Sequence, residues 1–266
     1  MNGYYSVKEF AELTGVEASK LRYWDEMGVF SPIKREDGNQ YRQYSLAQLT
    51  ALNFVSVLSD LNIPLKVIAR LREKRDPESL VRLLEKRERR LDLELQDLRR
   101  RSSVIHARRE LIHYGLTGAG GEISVRRRDD KELRLWPRSE YGEGDTFIDM
   151  LAAVVPRAKD LGIDLDFPVG GLWDSMEAFQ KEPARPGHFF SVDPTGRHMR
   201  KKGEYLVGFT RGEYGEMGGL PGKMAARAKE QGLALSGPVY VMYLHDEICE
   251  SDPSEYLAQA CVAVSK

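Results

Sequence analysis

Leu84, Leu91, Leu98, Ile105 and Ile112 recur every seven residues between Pro77 and Tyr114. Leu80, Leu95 and Ser102 partly fill a second position four residues away, and charged residues take most of the others. A seven-residue apolar period specifies a long helix with a coiled-coil seam. At 1.5 Å per residue this helix is roughly 55 Å long. A helix so long and so charged offers its own domain little to bury, so the seam predicts a homodimer. The alternative is a single surface helix packed on its own domain.

The rest of the 266 residues divides around that helix. The expected fold class is multi-domain. An α-helical winged helix-turn-helix covers 1–75, the dimerisation coiled-coil helix 76–116, and an α+β domain of duplicated strand–helix–strand–strand units 122–266. The formal charge of −1 conceals an asymmetry: residues 1–115 carry 21 Lys+Arg and 17 Asp+Glu. A basic front half suits phosphate backbones, although the excess alone is weak evidence. Apolar runs such as Leu151–Pro156 are too short to cross a bilayer, and no basic-then-apolar signal pattern opens the chain. The expectation is a cytoplasmic protein with no membrane partner. Two cysteines, Cys249 and Cys261, support neither a disulfide framework nor a thiolate metal site. No cofactor is expected.

In "SVKEFAELTG", Ser6 and Glu9 form a capping box and Gly15 stops the helix. "EASKLRYWDEMG" is a second short helix, three or four residues later, as in a helix-turn-helix. Asp37-Gly38 marks a hairpin between short extended arms. Ser45 caps a helix in which Leu46, Leu49, Leu52, Phe54 and Val57 recur at helical spacing, and Pro64 opens another. "TGAGGE" reads as a hinge. Beyond it "ISVRRR" and "ELRLWPRS" alternate as strands, and "GDTFIDMLAAVVPRAKDLG" is a helix that Pro156 is expected to kink. "GGLWDSMEAF" and "GHFFSVD" read as a strand pair. The order then repeats through "GEYLVGFTRG", "MGGLPGKMAARAKEQG", "GPVYVMYLH" and "EYLAQACVAV".

The run from Tyr5 and Val7 through Gly15-Val16, Leu21 to Glu26, Gly28, Pro32 and Tyr41-Arg42 with Tyr44 resembles the MerR family of transcription regulators. The resemblance covers about residues 4–75, and the heptad helix extends it, since that family dimerises through such a helix, arranged antiparallel. It implies a homodimer on a pseudo-palindromic site in double-stranded promoter DNA. An effector would make it bend and untwist the site, which RNA polymerase then uses; RNA polymerase is an indirect partner. In physical terms, contact energy deforms DNA and the effector shifts the populated state.

The residues fit that chemistry. A recognition helix enters the major groove by its N-terminal residues, here including Ser19 and Lys20. Arg22, Tyr23 and Arg42 are placed on phosphates, which position rather than specify. Lys34 and Arg35 lie on the hairpin as a wing, Tyr41 and Tyr44 accompany Arg42, and Lys66 stands at a helix start that favours anions. Tyr23 and Trp24 point about 100° apart on a helix, so Trp24 is assigned to the core and Tyr23 to DNA. Leu21, Val29 and Phe30 are read as packing.

Metal-sensing relatives use cysteines near the end of the dimerisation helix, and this chain has none there. His106 and His113 share a helix face but read as solvated, so no metal is expected. The third region instead resembles a GyrI-like effector-binding domain of the multidrug-responsive type. That resemblance implies an aromatic cleft between the repeats, with Tyr141, Phe147, Trp173, Phe209, Tyr214, Tyr243 and Tyr256 as walls, about half of them equally readable as core. Aromatic faces attract cations and stack flat ligands. The strand after Gly237-Pro238 carries Val241 where the resemblance expects a buried glutamate. A valine neither pairs with a cation nor moves a proton, so the expected effector is small, hydrophobic or aromatic, and neutral or held by cation–π contact alone. Glu177, Asp174 and Glu247 are possible substitutes that the sequence does not place in the cleft. The reading is a regulator rather than an enzyme. The alternatives are a drug-sequestering binding protein and a small-molecule hydrolase on a DNA-binding module.

Overall fold

The computed structural model describes residues 3–35, 41–73, 76–118 and 122–265, with the side chain of Arg35 outside the description. The chain forms two compact units, Met1–Gln96 and Asp97–Lys266.

The first unit opens with β1 (Tyr4–Ser6), α1 (Val7–Thr14) and α2 (Ala18–Glu26). Ser6 and Glu9 form the expected capping box, and Gly15 closes α1 in the left-handed conformation at φ 71°. β2 (Lys34–Arg35) and β3 (Arg42–Ser45) follow, and the sheet order is β1-β3-β2. The Asp37-Gly38 turn lies outside the described residues. β1 is an addition to the sequence reading. Its three residues pair with β3, about forty positions away, so no local pattern announces it.

Ser45 caps a single 3₁₀ turn, Leu46–Gln48, which leads into α3 (Leu49–Asp60); α4 (Leu65–Glu73) starts directly after Pro64. Leu52, Val55 and Leu58 turn α3 inward, while Phe54 and Val57 are exposed. The core gathers Phe10, Leu21, Trp24, Val29, Phe30 and Tyr44. Phe10, Phe30 and Tyr44 form a triangle of near-parallel rings, with the two Phe centroids 4.9 and 5.7 Å from that of Tyr44 and 6.3 Å from each other.

α5 (Pro77–Gly118) is continuous through the boundary between the units. Leu98 and Ile105 of the seam are exposed. They lie on the side of the helix away from Val104, Ala107, Leu111 and Tyr114, which pack on the sheet of the second unit. In the first unit Leu84 and Leu91 are also exposed. Leu84, Leu91, Leu98 and Ile105 of the heptad seam therefore face solvent, and Ile112 is half-buried.

The second unit continues with β4 (Ser124–Arg128), β5 (Lys131–Arg138), α6 (Phe147–Asp160), β6 (Val169–Trp173), α7 (Met176–Lys181), β7 (His188–Ser191), β8 (His198–Arg200), β9 (Gly203–Arg211), α8 (Leu220–Glu230), β10 (Ala234–His245) and β11 (Leu257–Ser265). Eight strands form one sheet in the order β4-β9-β11-β10-β6-β7-β5-β8, every neighbouring pair antiparallel. β5-α6-β6-β7 and β9-α8-β10-β11 are the two expected repeats. They meet where β6 pairs with β10, Val239 opposite Trp173.

One local expectation is corrected: "DSMEAF" contains α7, capped by Ser175. α6 runs through Pro156 as one helix. α6, α7 and α8 cover one face of the sheet over Val239, Val241, Tyr243, Ala258 and Ala260. The C-terminal half of α5 covers the other, over Tyr240, Met242, Leu244 and Cys261. Strand alternation separates the two sets residue by residue.

Candidate functional site

In the first unit, α2 presents Ser19, Arg22 and Tyr23 to solvent while Leu21 and Trp24 are buried. The geometry follows from helical periodicity: the buried pair is three apart, and the exposed residues occupy the intervening directions. Lys20 is half-exposed, 3.5 Å from Asp60 and over the Trp24 ring at 5.0 Å. Lys34, Tyr41 and Lys66 are exposed, on the wing and at the start of α4.

One sequence-assigned contact is corrected. Tyr44 is fully buried against Phe10 and Phe30, so its ring is core and cannot lie on DNA. Arg42 donates from Nε to the Asp25 carboxylate at 2.6 Å. The Asp25 side chain is only 2% exposed, and this hydrogen bond holds the Arg42 guanidinium above its ordinary pKa. Arg42 therefore ties the wing strand β3 to α2 through its Nε. A carboxylate buried this deeply requires such a partner.

The second unit brings part of the aromatic set together. Phe147 stacks parallel to Tyr214 at 6.1 Å and meets Tyr243 edge-on at 6.0 Å. Tyr214 lies 4.7 Å from Tyr243 and 5.4 Å from Tyr256. Gly215 fixes the corner: its φ is +88°, and a Cβ there would meet the Phe147 Cβ at 2.9 Å. Its N–H donates to the Tyr243 hydroxyl at 2.6 Å, and that hydroxyl donates to the Glu213 carbonyl. Burial pushes the Tyr214 and Tyr243 phenols well above their ordinary pKa, so both stay neutral.

Beside this cluster is a cleft of about 320 Å³ lined by Phe147, Tyr214 and Tyr243, with Leu151 and Leu165. That volume is at the low end of small-molecule sites. Asp246 and Glu247 also line the cleft, and Arg108 is a cation on its wall. Asp246 and Arg108 were missed by sequence reasoning, and Glu247 could not be placed. For Asp246 and Glu247 the available signal was their position directly after the strand bearing Tyr243; Arg108, on α5, gave no local signal.

The remaining assigned walls divide. Tyr256 backs Tyr214 without lining the cleft, and Val241 is buried in the core beneath it. Trp173 is buried against Phe179, with its indole N–H donating to the Glu182 carbonyl. Tyr141 is half-buried, hydrogen-bonded to the Pro186 carbonyl, with Arg185 over its ring. Phe209 is corrected outright: it opposes Gln259 in the sheet and faces α5, beside Tyr114. Asp174 and Glu177 are exposed and lie outside the cleft lining.

Residues 5–74 match the family described as MerR HTH family regulatory protein. The multidrug-efflux transporter 2 regulator of Bacillus subtilis is 24% identical over 255 residues, covering 92% of this chain and 90% of that protein. The multidrug-efflux transporter 1 regulator of the same organism is 26% identical over 146 residues, 53% of this chain and 50% of that one. A cryo-EM structure of an EcmrR–DNA complex aligns over 98% of this chain and all of that chain, at 14% identity and a TM-score of 0.42. No helix among the described residues is long and apolar enough to cross a membrane. The matched segment coincides with the helix-turn-helix and wing whose exposed residues were assigned from sequence. Residues 5–74 match the MerR helix-turn-helix family, and that segment makes the chain a DNA-binding regulator.

Proposed function

We propose that the protein is a homodimeric transcription regulator that distorts a pseudo-palindromic promoter site when a small aromatic ligand occupies the cleft of its second unit. The observation that carries this reading is the rim of that cleft. Asp246 and Glu247 stand beside Tyr214 and Tyr243, with Arg108 as the one lining cation. The rim supplies carboxylates that the Val241 position, buried in the core, does not. This modifies the sequence expectation of a neutral effector, since an aromatic cation gains both ring faces and carboxylates here. The similarity to two multidrug-efflux transporter regulators points the same way.

β10 supports a route from ligand to helix. It sets Tyr243 toward the cleft and Tyr240, Met242 and Leu244 toward α5. At its end the His245 ring is 3.1 Å from the Ile112 carbonyl, and Gly115 packs so closely that a Cβ would meet that ring at 2.5 Å. A ligand that moves β10 therefore acts on α5. Pure sequestration would leave the exposed recognition face without a role. Hydrolysis needs a positioned general base, and the residue expected to supply it is Val241.

A binding panel of matched cationic and neutral aromatic compounds tests the cleft. The expected result is preference for the cations, reduced roughly tenfold, or about 1.4 kcal/mol, when Asp246→Asn and Glu247→Gln are combined. Equal affinity for neutral compounds, or no change in the double variant, contradicts the assignment.

A further inference from the structure

The sheet has a second occupied face. Opposite the aromatic cleft, α5 lies over Tyr240, Met242, Leu244 and Cys261. A cavity of about 240 Å³ remains between helix and sheet, and it shares Ala107, Lys131 and Val192 with an adjoining cleft of about 560 Å³. Phe190, Tyr240 and Met242 give the smaller cavity an apolar floor.

Its charged lining is one-sided. Arg128, Lys131 and Arg200 face Glu110 alone among the acidic lining residues. Cations drawn partly out of water are ordinarily paired with carboxylates. Here Arg128 donates to the Tyr114 hydroxyl at 2.7 Å and lies over the Tyr114 ring, while Arg200 lies over the ring of Tyr205. The Nε atoms of both arginines are buried with no hydrogen-bond partner among the described residues. Such unspent donors are costly unless something accepts from them. The Lys131 side chain lines the cavity mouth and is exposed. Tyr240 bonds to His198 at 3.0 Å, and burial pushes its phenol up to about 12, so it places no negative charge on the floor. Asp130 and Glu132 line only the adjoining cleft, which leaves the smaller cavity as the cationic one.

We propose that this cavity binds a small organic anion, an aromatic carboxylate of one ring, with its ring on Phe190 and Tyr240 and its carboxylate toward Arg128 and Arg200. The volume sets the size, since drug-sized ligands occupy about 300–1,000 Å³. The site differs from the aromatic cleft in sheet face and in charge. Its ligand touches α5 directly, through Ala107, Leu111 and Tyr114.

Calorimetric titration of the full chain with benzoate, and with benzamide as its uncharged counterpart, tests the proposal. Benzoate should bind saturably and benzamide at least about tenfold more weakly. Arg200→Gln should weaken benzoate by about tenfold or more while leaving aryl-cation binding in the cleft unchanged. Lys131→Gln alters an exposed residue, retains the fold, and should weaken benzoate several-fold. The site is refuted by absent saturation, by benzamide matching benzoate, or by both variants binding as the parent does. Loss of benzoate binding in Tyr214→Ala but not in Arg200→Gln would put the anion in the aromatic cleft and also refute it. The cleft reading stands or falls separately, on the cation panel.

Discussion

Asp25 decides how α2 is held. Its carboxylate is buried, and Arg42 on β3 is its 2.6 Å partner. Losing a charge-assisted hydrogen bond of this kind costs about 1.5 kcal/mol or more. Arg42→Met should therefore lower the stability of the first unit by about 1.5 kcal/mol or more in urea unfolding. A loss below about 0.5 kcal/mol would mean that the pair is a surface ornament. The same residue shows what sequence hides. "YRQY" reads as a row of DNA contacts, yet burial of Tyr44 and pairing of Arg42 are fixed by α1 and α2, which lie far away in the chain. Trp24 was legible because adjacent helical positions diverge by about 100°. The face taken by Phe209 was not, because it depends on pairing register with β11.

Among the elements, α5 carries the clearest sequence signal and the most consequential exposed surface. Its seam residues Leu98 and Ile105 face solvent, whereas Ala107 and Gly115 are buried against the sheet. A helix with an apolar seam on one side and its own domain on another is built for a partner along the seam. Replacing Leu91 and Leu98 with Glu should yield monomers in sedimentation velocity, and a persisting dimer would exclude the seam. Helices with capping boxes, α1 and α6, were legible in position and boundary because the caps are local. β1 and α7 were not. The former exists only through β3, and the latter is six residues long, too short for a periodic signal.

For the whole molecule, the duplicated order of the second unit was legible in the sequence, because it depends on repeated pattern. The sequence did not establish which aromatics meet. Phe147, Tyr214, Tyr243 and Tyr256 converge from α6, the loop before α8, β10 and the loop before β11, a closure that the antiparallel order of the sheet creates. Nor did it place Asp246 and Glu247 on the rim. The central claim is that the exposed face of α2 reads promoter DNA for a dimer whose second unit senses a ligand. DNase footprinting of the full chain on the promoter of its own gene tests this most directly. The parent protein should protect a two-fold symmetric site, with a protection pattern that changes when an aryl cation fills the cleft. The combined Ser19→Ala, Lys20→Ala, Arg22→Ala and Tyr23→Ala variant should lose protection while keeping its circular dichroism and its ligand binding. Unchanged protection by that variant would contradict the account.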